Sequence, residues 1–421
     1  MDNSPSSQRP GVSVPVNPPN VPARKLGGKR VAMVMYSTYP DDPRPRRAID
    51  ALIGEGMKVD LICLGDANSA KGTDSDAISI LRVPIKHRRG GKFAYAFQYG
   101  SFLLISILIV ALRSFTRRYD LVYVHNMPDI LIMSAIVPKL FGAKAVLDQH
   151  DPMPELMTTI FGLDKESASV RFIRSMEKWS IARANLVVVV NLACKRIFSS
   201  RSCEADKIIV VMNAPDSRIF PYRAASEQVL GQQVEDRPFV IMYHGSLVER
   251  NGLDLAVEAI ALAREKMPAA ELRVFGPSTP FLERVMETVR AKGLQDIVHY
   301  FGPRRLEELV HEIEGCDVGV IPNQRNPFTD INTPTRIFEY LAIGKPVIAP
   351  NTLGIRDYFD HQSLFYFEPG NAEDLARQMQ YSYSHRSELP EITRKGQQIY
   401  LAHTWEQERQ SLLAGVNRIL N

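Results

Sequence analysis

Cysteine is scarce in this chain. Four occur among 421 residues, at Cys63, Cys194, Cys203 and Cys316, with no Cys-x-x-Cys spacing. That argues against a zinc site or a disulfide framework and fits a reducing compartment. No Gly-x-Gly-x-x-Gly follows the first strand-like run, which disfavours a dinucleotide-binding dehydrogenase. No Asp-x-Asp pair lies in a suitable loop and no cluster of metal ligands stands out, so neither a metal nor a cofactor is expected. Repeats of fixed period are lacking as well. Acids are missing altogether between Ala77 and Tyr119.

Positive charge is in excess only locally. The formal net charge is +4, and residues 1–30 hold five basic residues against Asp2 alone, leaving 46 of each sign elsewhere. A nucleic-acid partner is therefore not expected. Residues 1–28, rich in Pro, Ser, Asn and Gly, read as a disordered tail, and without an apolar h-region they do not read as a signal peptide.

The acid-free stretch carries Arg82, Lys86, Arg88, Arg89, Lys92, Arg113, Arg117 and Arg118 around an apolar centre. Its strictly apolar part, Phe102–Leu112, is broken only by Ser106 and is too short to span a bilayer. Two readings stay open. The segment is a buried helix with solvated ends, or a helix lying on an anionic membrane surface through residues 82–118.

The remainder reads as α/β, with two doubly wound halves. In the first, RVAMVMYS is a strand, TYPDDPRPRR a loop, 48–55 a helix and KVDLICLG a strand. The loop carries Arg44, Arg46 and Arg47, either a solvated charge cluster or an acceptor-binding loop. The strand LVYV delivers His125 and Asn126 to one loop, and AVLD delivers His150 to another, on the same side of the sheet. Two histidines at matched positions favour a cleft, although a lone histidine is more often structural. Glu155 is a weaker candidate.

The second half opens with FVIMYHGS. Gly245 lets backbone approach a ligand, and the amides of Gly245 and Ser246 could meet a diphosphate, with Arg250 supplying charge-assisted bonds. Strands ending at Gly276 and Gly302 leave room for a flat ring. From Asn332 to Pro350 the chain reads NTPTRIFEYLAIGKPVIAP. Asn332 and Thr333 are good N-caps, Pro334 suits the first helical position, and Thr335 and Arg336 follow in the first turn. A helix start with a cation suits phosphate, and Glu339, one turn on, suits two adjacent sugar hydroxyls. An ordinary αβ connection would show the same caps.

PTRIFEYLAIGKPVIA resembles the helix-and-strand signature of the family 4 glycosyltransferases. HNMPD, DxHDxMPE and YHGSxxER resemble motifs of a bacterial branch, and DPRPRRA is similar to a frequent run of that family. The resemblance implies a GT-B fold: two Rossmann-like doubly wound domains facing a central cleft, at 29–220 and 238–395. A linker at 221–237 joins them, and a last helix, 396–421, crosses back. It implies a retaining, metal-independent transfer from a nucleoside diphosphate sugar to a glycan or lipid-linked acceptor in polysaccharide or glycoconjugate synthesis. It places Glu339 on the donor ribose, His150 near the donor sugar, and Arg250 and Arg336 at the leaving diphosphate. Asn251 stands where many members have lysine, and Ser246 where they have arginine. Arg44, Arg46, His125 and Asn126 fall on the acceptor side. The family's second glutamate is replaced by Ile331, beside Asp330. The implied location is cytoplasmic, peripheral at the membrane face. Rival readings are an inactive nucleotide-sugar-binding scaffold and a GT-B sugar-nucleotide epimerase or phosphorylase.

Overall fold

The computed structural model describes residues 26–65, 75–85, 92–226 and 237–421, without the side chains of 92–96. Residues 1–25, most of the expected linker (227–236) and Lys86, Arg88 and Arg89 lie outside the described residues, as does the Lys92 side chain.

The first half is built on a seven-stranded sheet. Its strands are β1 (Arg30–Thr38), β2 (Lys58–Leu64), β3 (Ile78–Val83), β4 (Leu121–His125), β5 (Lys144–Gln149), β6 (Leu186–Val189) and β7 (Ile208–Val210). They run in the order β3-β2-β1-β4-β5-β6-β7, all parallel. The second sheet orders its strands β10-β9-β8-β11-β12-β13, also parallel. These are β8 (Phe239–His244), β9 (Ala270–Phe275), β10 (Val298–Tyr300), β11 (Val318–Val320), β12 (Val347–Pro350) and β13 (Phe365–Phe367). Runs such as LVYVH and FVIMYH are buried throughout because helices cover both faces of each sheet. Strand order reverses between β1 and β4 and between β8 and β11. Crevices at the carboxyl ends of strands open at those points.

Six helices frame the cleft and its flanks: α1 (Pro43–Gly54), α2 (Lys92–Thr116), α3 (Ile136–Leu140), α4 (Thr335–Ala342), α5 (Leu389–Ala402) and α6 (Trp405–Leu420). Ala32 and Val34 of β1 face the core shared with Phe102 and Val110 of α2, whereas Val31 and Met33 face α1 and Leu412 and Val416 of α6.

The structure departs from several expectations. The arginine-rich stretch is no loop beyond Asp42. Asp42 accepts from the Arg44 amide at 3.3 Å, Pro43 takes the first helical position, and Arg44, Arg46 and Arg47 ride in the first turns of α1. The expected tail ends earlier than 28, since Leu26 is buried at 1% and the Gly28 amide bonds Gly56 O at 3.1 Å. The segment 396–421 is two helices. Within α5, the Gln397 side chain bonds Leu341 O at 2.8 Å, while α6 alone packs on the first sheet. The α4 helix begins one residue late, with Pro334 as an uncapped N-cap residue. Finally, α2 is longer than its apolar centre. Among the described residues, Phe97–Thr116 is long and apolar enough to cross a membrane by length and composition.

Candidate active site

The second half presents one wall of the site at the β8–β11 crevice. Gly245, at φ +120°, leaves the space that the Arg336 side chain occupies; a Cβ there would lie 3.2 Å from Arg336 Cδ. Arg336 donates to His244 O at 2.7 Å and to Asn323 Oδ1 at 3.1 Å, and lies 5.0 Å over the Tyr243 ring. It is held from two sides while staying partly exposed. Beside it, the amides of Thr335 and Arg336 carry no hydrogen bond from the described residues. They are orphan donors at the positive end of α4. Glu339 follows one turn later. Its Oε2 lies 3.4 Å from His244 Nε2. Burial drives its carboxyl up to about 7, against the pull of Arg336 and Arg47. Burial, helped by Arg336, holds the His244 imidazole down at about 3, so it is neutral.

Other residues expected on this wall are engaged differently. The Gly245 amide is not open to a ligand, because it continues the sheet by bonding Phe275 O at 3.0 Å. Ser246 is exposed and its amide has no partner among the described residues, but its carbonyl accepts from Tyr243 Oη at 2.9 Å and from Asn251 Nδ2 at 2.8 Å. Asn251 thus clasps the loop through Nδ2, while its Oδ1 has no hydrogen bond among the described residues. Thr333 accepts from Asn191 Nδ2 at 3.1 Å and donates to Gly354 O at 2.8 Å, so its hydroxyl ties the two halves together. Gly276 and Gly302 join through an amide-to-carbonyl bond of 3.1 Å. Next to them the Phe275 and Phe301 rings stack at 5.2 Å, with Phe301 exposed. Arg250 lies partly exposed, 6.0 Å over Phe328, on a hollow of about 530 Å³ that Thr159, Gln324 and Asn326 also line. Arg250 and Arg336 share the carboxyl-terminal edge of the second sheet. Ile331 is buried, and its carbonyl accepts from Asn191 Nδ2 at 2.8 Å.

The first half supplies the facing wall. His150, at the end of β5, is partly exposed, and its Nε2 lies 2.9 Å from His125 Nδ1. His125 Nδ1 is also 3.5 Å from Asp148 Oδ2. Asp148 is buried and accepts from Arg44 Nη2 at 2.6 Å and from Tyr123 Oη at 2.8 Å. Burial opposes its ionisation, yet the Arg44 guanidinium prevails and the carboxyl lies at about 2. An ionised carboxylate only accepts, so the proton of His125 belongs on Nδ1, pointing at Asp148 and at His150 Nε2. His150 then carries its proton on Nδ1. Burial lowers both imidazoles, His125 to about 4 and His150 well below its ordinary value, so both are neutral.

Hydrogen bonds within the protein engage three of the expected residues. Arg44 is a buried structural cation, with Nη1 on Val211 O at 3.1 Å, and does not reach a ligand. Asn126 donates to Asp129 Oδ1, Gln149 Oε1 and Asp151 O, and accepts from the His150 amide at 2.7 Å. It shapes the His150 loop. Glu155 is bound by Arg201 at 2.6 Å. Arg46 stays partly exposed, with its Nε lacking a partner among the described residues. A metal-ligand cluster that the sequence did not reveal also appears: donor atoms of His125, Asp148 and His150 lie within 4.8 Å of one another. With a guanidinium 2.6 Å from the carboxylate, this donor set fits a hydrogen-bond relay and not a cation. A cavity of about 210 Å³ opens on this wall, lined by Tyr36, Tyr99, His125, His150 and Asp151. Tyr36, Tyr99 and Asn191 carry no local signal, and although Asp148 opens the DxHDxMPE run, nothing local marks its pairing with Arg44. They join the site only through tertiary packing, Tyr99 by the seating of α2 with its ring 4.4 Å from that of Tyr36 on β1.

The halves meet at defined points. Thr159 Oγ1 bonds Asn326 Oδ1 at 3.1 Å, Tyr358 Oη accepts from the Leu192 amide at 2.9 Å, and Arg196 pairs with Asp357 at 2.7 Å. Glu339 feels Arg47 of the first half, and Asp151 feels Arg250 of the second. The two walls therefore share one electrostatic cleft.

Two sheets of this order, facing across a cleft with a last helix returning to the first, define the GT-B class. The family model for "Glycosyl transferase 4-like domain" matches residues 42–214, and that for "Glycosyl transferases group 1" matches 227–398. The chain belongs to the family 4 glycosyltransferases. Among curated proteins it is similar to the probable glycosyltransferase WbjE of Pseudomonas aeruginosa, 22% identical over 57% of this chain and 59% of that one. It is also similar to mannosylfructose-phosphate synthase of Agrobacterium fabrum, 26% identical over 47% and 45%. The chain thus spans about half the length of these relatives. Among solved structures, sucrose-phosphate synthase from Thermosynechococcus elongatus superposes with TM-score 0.72 at 18% identity, covering 93% of this chain and 98% of that one. Anabaena HepE in complex with UDP-glucose superposes at 0.66 and 16%, covering 92% and 99%.

Proposed function

We propose that the protein is a retaining, metal-independent glycosyltransferase. It moves a hexose-like sugar from a nucleoside diphosphate donor to a glycan or lipid-linked acceptor in polysaccharide or glycoconjugate synthesis, on the cytoplasmic side of a membrane. The observation that carries this reading is Arg336, pinned beside two open amides of α4 in the gap that Gly245 leaves. Fixed donors where phosphate charge develops stabilise a departing diphosphate without reorganising. Arg250 and the Ser246 amide complete the anion site from the β8 loop. Glu339 takes the ribose hydroxyls, and Phe301 with Gly302 offers the base a flat face. The Nδ1 proton of His150 points a donor at the sugar from the opposite wall. As the anomeric carbon–phosphate oxygen bond breaks, the acceptor oxygen bonds that carbon on the same face. The departing phosphate oxygen takes the acceptor's proton.

A titration calorimetry panel of UDP, GDP, ADP and CDP sugars tests the donor site, followed by product analysis with and without acceptor. Binding of one donor, lost in Arg336→Ala, and transfer with retained anomeric configuration are expected. Binding without turnover would favour a scaffold role, which the buried Ile331 in place of an acid invites. An altered sugar made without acceptor would favour epimerisation.

A further inference from the structure

The α2 helix has two faces. Phe102, Ser106, Val110 and Ser114 are buried against the first sheet at 0–2% exposure. On the other side Leu104, Leu108, Leu112 and Phe115 are 60–71% exposed. The row continues onto the end of α3, where Phe115 meets Phe141 edge to face at 5.4 Å and Leu140 is 80% exposed. A contiguous apolar strip of this kind marks an interaction site. Cations gather around it. Exposed Lys139, Lys144 and Arg183 crowd one another beyond Leu140, with Lys139 Nζ on Arg183 O at 2.6 Å, and burial together with those two cations makes Lys139 hold its proton less tightly. Arg118 is exposed at the end of α2, and the chain from Ala77 to Tyr119 has no acid.

From this juxtaposition we infer that the exposed face of α2, with Leu140 and Phe141, docks in the plane of an anionic lipid bilayer, the Lys139–Lys144–Arg183 cluster meeting the headgroups. Apolar side chains enter the acyl boundary while cations stay at the phosphates. Length alone would let α2 cross the bilayer, but crossing would strip Phe102 and Val110 from the core of the first sheet. In-plane docking leaves that core intact. The amino-terminal end of α2 bears Tyr99, which lines the cavity holding His125 and His150. A docked molecule thus holds its acceptor-side cavity at the lipid surface, where a lipid-linked acceptor is presented; this last step rests on the transfer reading, and the docking does not.

Flotation of the full chain tests the docking, with vesicles of phosphatidylcholine alone or mixed with phosphatidylglycerol. Wild type should float with the mixed vesicles and much less with the neutral ones or in high salt. Leu104→Glu/Leu108→Glu should reduce flotation about tenfold or more with an unchanged melting temperature. Lys139→Ala/Lys144→Ala, which leaves the apolar face untouched, should weaken binding to mixed vesicles only. A wild type that floats with neither vesicle overturns the inference, as does a double glutamate variant that floats like wild type. If light scattering shows a dimer that the glutamates split, with no flotation, the face is a contact between copies. Loss of flotation with nucleotide-sugar binding kept supports docking. Absence of nucleotide-sugar binding in wild type defeats the transfer reading and leaves the docking result standing.

Discussion

Arg44 and Arg336 look alike in sequence, each an arginine just after a proline-marked helix start, and the two halves use them in opposite ways. In the first half the guanidinium turns inward, onto Asp148 and Val211 O. In the second it crosses Gly245 to a backbone carbonyl at the sheet edge and stays partly open to the cleft. The first wall holds its charges in a buried relay that sets the tautomers of two histidines. The second holds unpaired amides and a tethered cation. A preorganised anion site needs the second arrangement, and a rigid support for it needs the first.

The largest expected effect comes from removing the inward arginine. Arg44→Ala leaves Asp148 buried with Tyr123 and the imidazole edge for company, and loss of one partner of a buried pair costs about 3–5 kcal/mol. The sign with pH follows from Asp148, whose carboxyl is depressed from 3.8 to about 2. Its contribution is present above 3.8 and is lost as pH falls through 2. The difference in urea midpoint between Arg44→Ala and wild type should therefore be full at neutral pH and shrink in strong acid. Equal stability of the two proteins at pH 7 would show that Arg44 is no structural cation.

Arg336→Ala should act on the ligand instead. Loss of a charge-assisted contact to a diphosphate lowers donor affinity by about 2–3 kcal/mol, roughly a hundredfold. Unfolding should shift by only about 1 kcal/mol, for the bonds to His244 O and Asn323. Calorimetry and denaturant titration on the same preparation separate the two. A variant that unfolds readily yet binds donor normally would erase the contrast with Arg44.

Glu339 gives a smaller, pH-dependent effect. Its carboxyl is raised from 4.5 to about 7, mainly by burial. The unfolded chain gives up this proton near 4.5 and the folded one keeps it until about 7. Stability therefore falls as pH rises through that window. Glu339→Gln removes the slope and should gain about 1–2 kcal/mol relative to wild type between pH 5 and 8. On the proposed reading, in which Glu339 takes the ribose hydroxyls, donor affinity in wild type should rise as pH passes 7 and the carboxylate forms, and stay flat in the variant. Parallel stability curves for the two proteins would place Glu339 in water.

The sequence made the elements legible and hid their partners. Apolar runs such as LVVV and FVIMYH give strands, and Gly344 with Lys345-Pro346 closes α4 before β12, because such signals are local. Whether a charge faces a ligand is decided elsewhere. Asp148 lies 104 positions from Arg44, and Asn191 lies 140 from Ile331. No local pattern marks either pair. The Gly245 amide reads as open in the sequence for the same reason: its partner, Phe275 O, belongs to the adjacent strand. Charge density misled as well. Arg44, Arg46 and Arg47 made the stretch after β1 look like a solvated loop, although Asp42 and Pro43 already spelled a helix start. In α2 the apolar centre was visible, but which of its faces packs on β1 became clear only with the sheet in place.

Asn191 offers the smallest and finest test of how the two walls depend on each other. Its Oδ1 caps a helix by accepting from the Cys194 amide at 2.8 Å, and its Nδ2 reaches across to Ile331 O and Thr333 Oγ1. Asn191→Asp keeps the accepting oxygen, and so the cap, but sets a carboxylate oxygen against two oxygens of the second half. Donor affinity should then change by no more than about threefold, because Arg336 is held within its own half. Amide exchange across 331–335, followed by mass spectrometry, should speed up as the loop before α4 loses its tether. Unchanged exchange there would mean that the second wall is ordered by its own contacts alone, and that the halves touch at Asn191 without holding each other.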